Sequence, residues 1–275
     1  MRKAASSFGV TPESAPLIED AFHEWLTLFS DHLVDHPYLL GGRPTLGDYG
    51  LIAAMWAHLF RDPAPAMLVK QHAPRVGRWV ERMTTSEPYE SEYRRATNDD
   101  GLIPDDGVPD TLRAMLRFVA DEYLPEITAH VGFANRWLDE RPDLVAGTNG
   151  LENPADRGLR GGRGLAGSED GRAEFPWRGT TLRTGVMPYR FWLMQRLHDA
   201  VADLDDTGRE AVRSTFDAAG LAPLLDLRTR RRVPCHNIEP PGECTSRPAG
   251  TDHTCADNPQ RLNRAPIRQL PVSHA

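Results

Sequence analysis

Ile18, Phe22, Trp25, Phe29 and Leu33 recur at helical spacing and draw one apolar stripe along a segment spanning 11–36. Thr11 is placed to cap it, Pro12 fits the first helical position, and Pro37 stands where the helix must stop. From Thr45 to about Phe60 the pattern changes. Leu51, Ile52, Ala53, Ala54, Met55, Trp56, Ala57, Leu59 and Phe60 cover every side. A helix that is apolar all round is expected to be buried on all sides, as the central helix of a bundle. Asp62-Pro63-Ala64-Pro65 ends it. A short helix over 66–72 follows, and after Pro74 another turns Val76, Trp79 or Val80, and Met83 inward.

Residues 84–108 are polar and read as a connector. Leu112, Leu116, Val119, Tyr123, Ile127, Val131, Ala134 and Leu138 then mark one face of a long helix over 109–138. Pro125 lies inside it and is expected to kink or split it, because it lacks a donor and crowds the preceding turn. Residues 141–173 are rich in Gly and Arg and predict a mobile insertion. Phe175–Gly185 reads as a short hairpin. Pro188 opens a helix carrying Phe191, Met194, Leu197 or His198, Val201 and Leu204 on one side. Thr207-Gly208-Arg209-Glu210 reads as a capping box, for a helix that closes at Gly220. After Asp226 periodicity fails, so residues 227–275 are expected to be a disordered tail. The pattern as a whole predicts an all-α helical bundle over residues 1–226.

The 275 residues suffice for one large domain or two small ones, and the 40% hydrophobic content allows a real core. The 32 Lys+Arg against 39 Asp+Glu leave a net charge of −7, which argues against nucleic acid as a partner. No apolar run approaches the length of a membrane span, and the first residues lack the apolar core of a secretory leader. A cytoplasmic location is the expectation. Cys235, Cys244 and Cys255 are an odd set confined to the last part of the chain, which does not make a disulfide framework. With His236 and His253 they could be read as zinc ligands, but the spacings do not fit paired ligands, so no metal is expected.

Gly41-Gly42-Arg43-Pro44-Thr45-Leu46-Gly47-Asp48 opens like a phosphate-binding loop. That loop needs a strand before its glycines and a Lys-Ser/Thr pair after them, and neither is here. Thr45-Leu46-Gly47-Asp48 instead has the form of a helix capping box. The Thr45 hydroxyl accepts from the Asp48 N–H, and the Asp48 carboxylate returns to the Thr45 N–H. Asp48 also places negative charge at the positive end of the helix dipole. Gly47 costs the helix about 1 kcal/mol relative to Ala, and is read as making room for a neighbouring segment.

Other side chains invite a ligand reading. His23, Trp25, Trp56 and His58 are better explained as core packing. Arg228, Arg230, Arg231 and Arg232 are read as a solvated charge run rather than an anion or RNA site. Gly158–Gly164 resembles an Arg-Gly RNA-binding segment only faintly. No Ser-His-Asp set can be picked out by spacing, and the acidic residues fall on polar helix faces.

"HPYLLGGRPTLGDYGLIAAMWAHLFRDPAP" followed by "APRVGRWVERM" resembles the C-terminal helical domain of glutathione transferases. Pro37, Leu39, Leu40, Gly41, Thr45, Asp48, Pro74 and Trp79 match a Leu-Leu-Gly segment, a Ser/Thr-x-x-Asp box and a Pro-x-x-x-x-Trp helix. The downstream "LIPDDGVPDTLRAMLRFVADEYLP" and "PYRFWLMQRLHDA" are similar to a bacterial subgroup with an extended C-terminal part, so the resemblance covers roughly 9–226. It implies a family in which glutathione thiolate attacks an electrophile. There the thiol-activating residue and a cis-proline sit in a preceding thioredoxin-like α/β domain. No βαβ pattern occurs here, so no catalytic or glutathione-binding residue carries over. The expectation is a protein that is not catalytic alone, with glutathione a cosubstrate only if a thioredoxin-like domain is supplied. Its partner would then be that domain or a second copy of the chain. A non-catalytic protein-interaction or ligand-binding module and a truncated or decayed family member remain open as alternatives.

Overall fold

The computed structural model describes Ala5, 8–85, Tyr93, 101–140, Pro142 and 171–233. All of these lie in one compact unit, Met1–Asn237. They are mostly helical: α1 Ser14–His32, α2 Leu46–Ala54, α3 Pro63–His72, α4 Pro74–Met83, α5 Asp110–Asp139, α6 Pro188–Ala202, α7 Asp206–Ala218 and α8 Ala222–Asp226. The hairpin expected near Phe175 is present as β1 Arg172–Trp177 and β2 Thr180–Gly185, so its first residues fall inside the predicted insertion. The rest of that insertion, apart from Pro142 and Gly171, lies outside the described residues, as do the tail cysteines, His236, His253 and Gly158–Gly164.

α1 starts at Ser14 rather than at Pro12, but Thr11 bonds to its first residue. The Thr11 hydroxyl accepts from the Ser14 N–H at 3.1 Å, and the Ser14 hydroxyl accepts from the Thr11 N–H at 2.9 Å. This is a capping box with serine in the returning position. Leu26 and Phe29 of α1 and Leu33 just after it join Tyr38, Val69, Val76, Trp79, Val80, Leu112 and Met115 in the first core. Both Trp79 and Val80 point inward. α5 then runs unbroken through Pro125 and carries a second core. There Ile127, Val131, Ala134 and Leu138 meet Val186, Phe191, Met194 and Leu224.

The hairpin closes through Arg178 and Gly179, both at positive φ (43° and 77°), between the paired residues Trp177 and Thr180. Two such residues give a turn whose twist matches that of the strands. Ala173, Phe175 and Trp177 alternate inward, and Phe175, Trp177 and Leu182 pack with Ala21 of α1. At the turn the Arg178 guanidinium reaches Glu122 of α5 and Glu24 of α1, each at 2.7 Å.

Three expectations fail. α2 is not buried on all sides. Leu46 is 88% exposed, Tyr49 58% and Trp56 43%, and Ala53, Ala54, Ala57 and His58 are exposed as well. Only the side bearing Asp48 and Met55, flanked by half-buried Leu51, Ile52 and Leu59, packs inward. An all-apolar pattern says which sides could be buried, and among the described residues only one is covered. α2 also leaves α-geometry at Met55–Leu59, a π-helical turn in which the Phe60 N–H reaches back to the Met55 carbonyl at 2.7 Å.

The cap of α7 is Asp205, not Thr207. The Asp205 carboxylate accepts from the Gly208 N–H at 2.7 Å, and it sits two residues ahead of the expected box. The other end of α7 closes at Gly220 as predicted. The Leu221 N–H returns to the Phe216 carbonyl and the Gly220 N–H to the Asp217 carbonyl. Lastly, residues 227–233 are bound to α5 and α6 rather than free of the fold.

Candidate functional site

The capping box expected at Thr45 and Asp48 is present in both directions. It is also part of something larger. Asp48 is fully buried and its carboxylate accepts four hydrogen bonds. Oδ2 takes the Thr45 N–H at 2.9 Å and the Thr45 hydroxyl at 2.8 Å. Oδ1 takes the Leu39 N–H and the Trp79 indole N–H, each at 3.1 Å. One side chain thereby ties the entry loop, the start of α2 and α4 together. A buried carboxylate needs such donors to offset lost hydration.

The amides of the two glycines before it are bonded within the chain. The Gly41 N–H goes to the Tyr38 carbonyl at 3.3 Å and the Gly42 N–H to the Gly101 carbonyl at 2.6 Å. The Ile103 N–H answers to the Leu40 carbonyl at 2.9 Å, so residues 101–103 are seated on this loop. Gly41 has φ +123°, and a Cβ there would stand 2.9 Å from the Gly101 carbonyl oxygen and the Ile103 nitrogen. Gly47 makes the room expected of it, because a Cβ would lie 2.8 Å from Leu39 Cδ1. The amides of Leu39, Gly41, Gly42 and Thr45 are therefore all spent on the protein.

Nearby, His32 is buried. Its ring joins the Tyr38 carbonyl at 3.2 Å and the Thr111 hydroxyl at 2.9 Å, fixing the loop between α1 and α5. Burial holds its pKa below the ordinary value.

A second polar cluster was not legible in the sequence. His130 of α5 is fully buried and meets the Thr184 hydroxyl at 2.8 Å through Nε2, while Nδ1 is buried without a partner. Thr184 donates to Glu126 at 2.9 Å, so the imidazole supplies the proton between them. The other Glu126 oxygen pairs with Arg190 of α6 at 2.6 Å. Burial drives the His130 pKa down to about 4, against the pull of Glu126. A neutral histidine donating to a threonine that is itself donating to a carboxylate is the reverse of an activated nucleophile. The cluster joins α5, β2 and α6. Glu122 likewise faces the hairpin, accepting from the Trp177 indole at 2.7 Å. These two carboxylates thus depart from the expectation that the acids lie on polar faces.

The other candidates separate. Trp25 packs in the core against Phe29 and Phe118, as expected. His23 lies edge-on to His72 at 4.9 Å. Trp56 and His58 are not core residues: both are exposed on the π-helical turn, and the Arg61 guanidinium lies 5.9 Å from the Trp56 ring. Arg230 and Arg232 are exposed to solvent, as expected, and also pair with Asp139 and Asp199. Among the described residues no group of three or more His, Cys, Asp or Glu is placed to hold a metal ion, and no helix is long and apolar enough to cross a membrane.

Residues 12–82, about a quarter of the chain, match the family model of the glutathione S-transferase C-terminal domain. No curated protein and no solved structure gives a significant match.

Proposed function

Residues 12–82 are a glutathione S-transferase C-terminal domain, and from that premise we propose that the chain serves as the helical part of a glutathione-conjugating assembly. The observation that carries this reading is α2. Its inner side is locked by the Asp48 hub, while Leu46, Tyr49 and Trp56 face outward with no charged residue among them. Exposed apolar surface of this kind marks an interaction site. We take its occupant to be a thioredoxin-like domain that brings the thiol-activating group.

The reaction would be attack of the glutathione thiolate on an electrophile, with this domain lining one side of the electrophile's pocket. The sheet among the described residues is the β1–β2 hairpin alone, and the Leu39, Gly41, Gly42 and Thr45 amides before α2 are bonded within the chain. On this reading the chain is not catalytic by itself. A pure interaction module is the second reading, favoured by the same exposed face. Conjugation of glutathione to an activated chloroarene tests the first. The chain alone should give no rate above the uncatalysed reaction. A rate that saturates with glutathione would overturn the claim.

A further inference from the structure

Residues 227–233 lie between α5 and α6 in the manner of a bound peptide. Two side-chain amides, one from each helix, hold their backbone. Asn135 donates to the Arg228 carbonyl at 3.1 Å and accepts the Arg230 N–H at 2.7 Å. Gln195 accepts the Val233 N–H at 2.9 Å and approaches the Val233 carbonyl at 3.5 Å. Each amide pairs with an N–H and a C=O of the segment, which bends at Arg230 and Arg231, so the clamps read backbone groups of an irregular chain. Gln195 is only 4% exposed. With the segment in place, the Val233 backbone supplies partners for this buried amide.

The side chains add selectivity. Arg230 pairs with Asp139 at 3.0 Å and Arg232 with both Asp199 oxygens at 2.6 and 2.9 Å. Leu227 and Val233 pack on the core that α5 and α6 share. The arginines are loosely held, with side chains 63% and 66% exposed. Exposed pairs contribute little and weaken in salt. The backbone clamps are thus built in, while the charged contacts that fill the groove can exchange.

We propose that the groove between α5 and α6 is a recognition site for a peptide bearing two arginines at alternate positions and a flanking aliphatic residue, bound in the bent conformation of residues 227–233. In the isolated chain residues 227–233 occupy it, so a partner peptide must displace them. This binding activity is independent of glutathione chemistry.

A fluorescent synthetic peptide of residues 226–233 tests this by anisotropy at low salt, on the full chain. The Arg230→Ala/Arg232→Ala variant loosens the resident segment. It should bind the peptide at least tenfold tighter than the unaltered chain. Adding Gln195→Ala should abolish that binding. If Gln195→Ala unfolds the chain, Asn135→Ala, a less buried position, carries the same test. Equal or absent binding by the loosened variant with an unchanged circular dichroism spectrum would overturn the proposal. So would binding indifferent to Asn135→Ala.

Discussion

The indole N–H of Trp79 on α4 points at the carboxylate of Asp48 on α2, 3.1 Å away, with both side chains shut off from solvent. That contact joins two helices through a group that also caps one of them. Asp48→Ala would leave the Trp79, Leu39 and Thr45 donors unmatched, and the expected loss is about 3–5 kcal/mol. Trp79→Phe keeps most of the packing and removes one bond to a charged acceptor, at about 1.5–3 kcal/mol. Thr45→Ala should cost about 1 kcal/mol. Urea unfolding of the three variants checks the order. An Asp48→Ala protein as stable as the parent would contradict the hub.

Gly41 answers to a different constraint. At φ +123° and with the 101–103 backbone 2.9 Å from any Cβ, Gly41→Ala must displace that segment. The expected cost is about 2 kcal/mol or more. Gly50, whose added Cβ would meet nothing within 4 Å, is the control. Gly50→Ala should be neutral or slightly stabilising, since alanine is the better helix former. Thermal unfolding separates the two.

His130 makes stability pH-dependent. Its folded pKa is about 4 against 6.5 unfolded, so the unfolded chain holds the extra proton between those values. The contribution is complete above pH 6.5 and is lost as pH falls toward 4, by roughly 3 kcal/mol. His32, also lowered by burial, acts in the same direction. His130→Gln should flatten the slope over that window in urea melts taken at successive pH values. A His130→Gln protein with an unchanged slope would contradict this assignment.

The outer face of α2 should be separable from the fold. Leu46 is 88% exposed, so Leu46→Lys is expected to change stability by no more than about 0.5 kcal/mol. The same change should weaken any association through that face, read by sedimentation velocity in the presence of a thioredoxin-like domain.

Local chemistry was legible in the sequence and spatial meetings were not. Thr45 and Asp48 are three residues apart, and their box could be read directly. Trp79 comes to Asp48 from 31 residues away, and Thr184 to His130 from 54, so no spacing announced them. Apolar periodicity placed α2 but overstated its burial, because a pattern records which sides could be covered and not what covers them. The arginines after Asp226 are solvated as read, but their pairing was not legible because Asp139 and Asp199 lie far back in the chain. At α7 two caps competed, and Asp205 reached the first turn before Thr207.

The central claim is that this chain carries the helical part of the machinery without the site for the thiol. Calorimetric titration of glutathione into the isolated chain tests it most directly. The account predicts no binding heat up to millimolar glutathione. Saturable binding at millimolar affinity or tighter would contradict it.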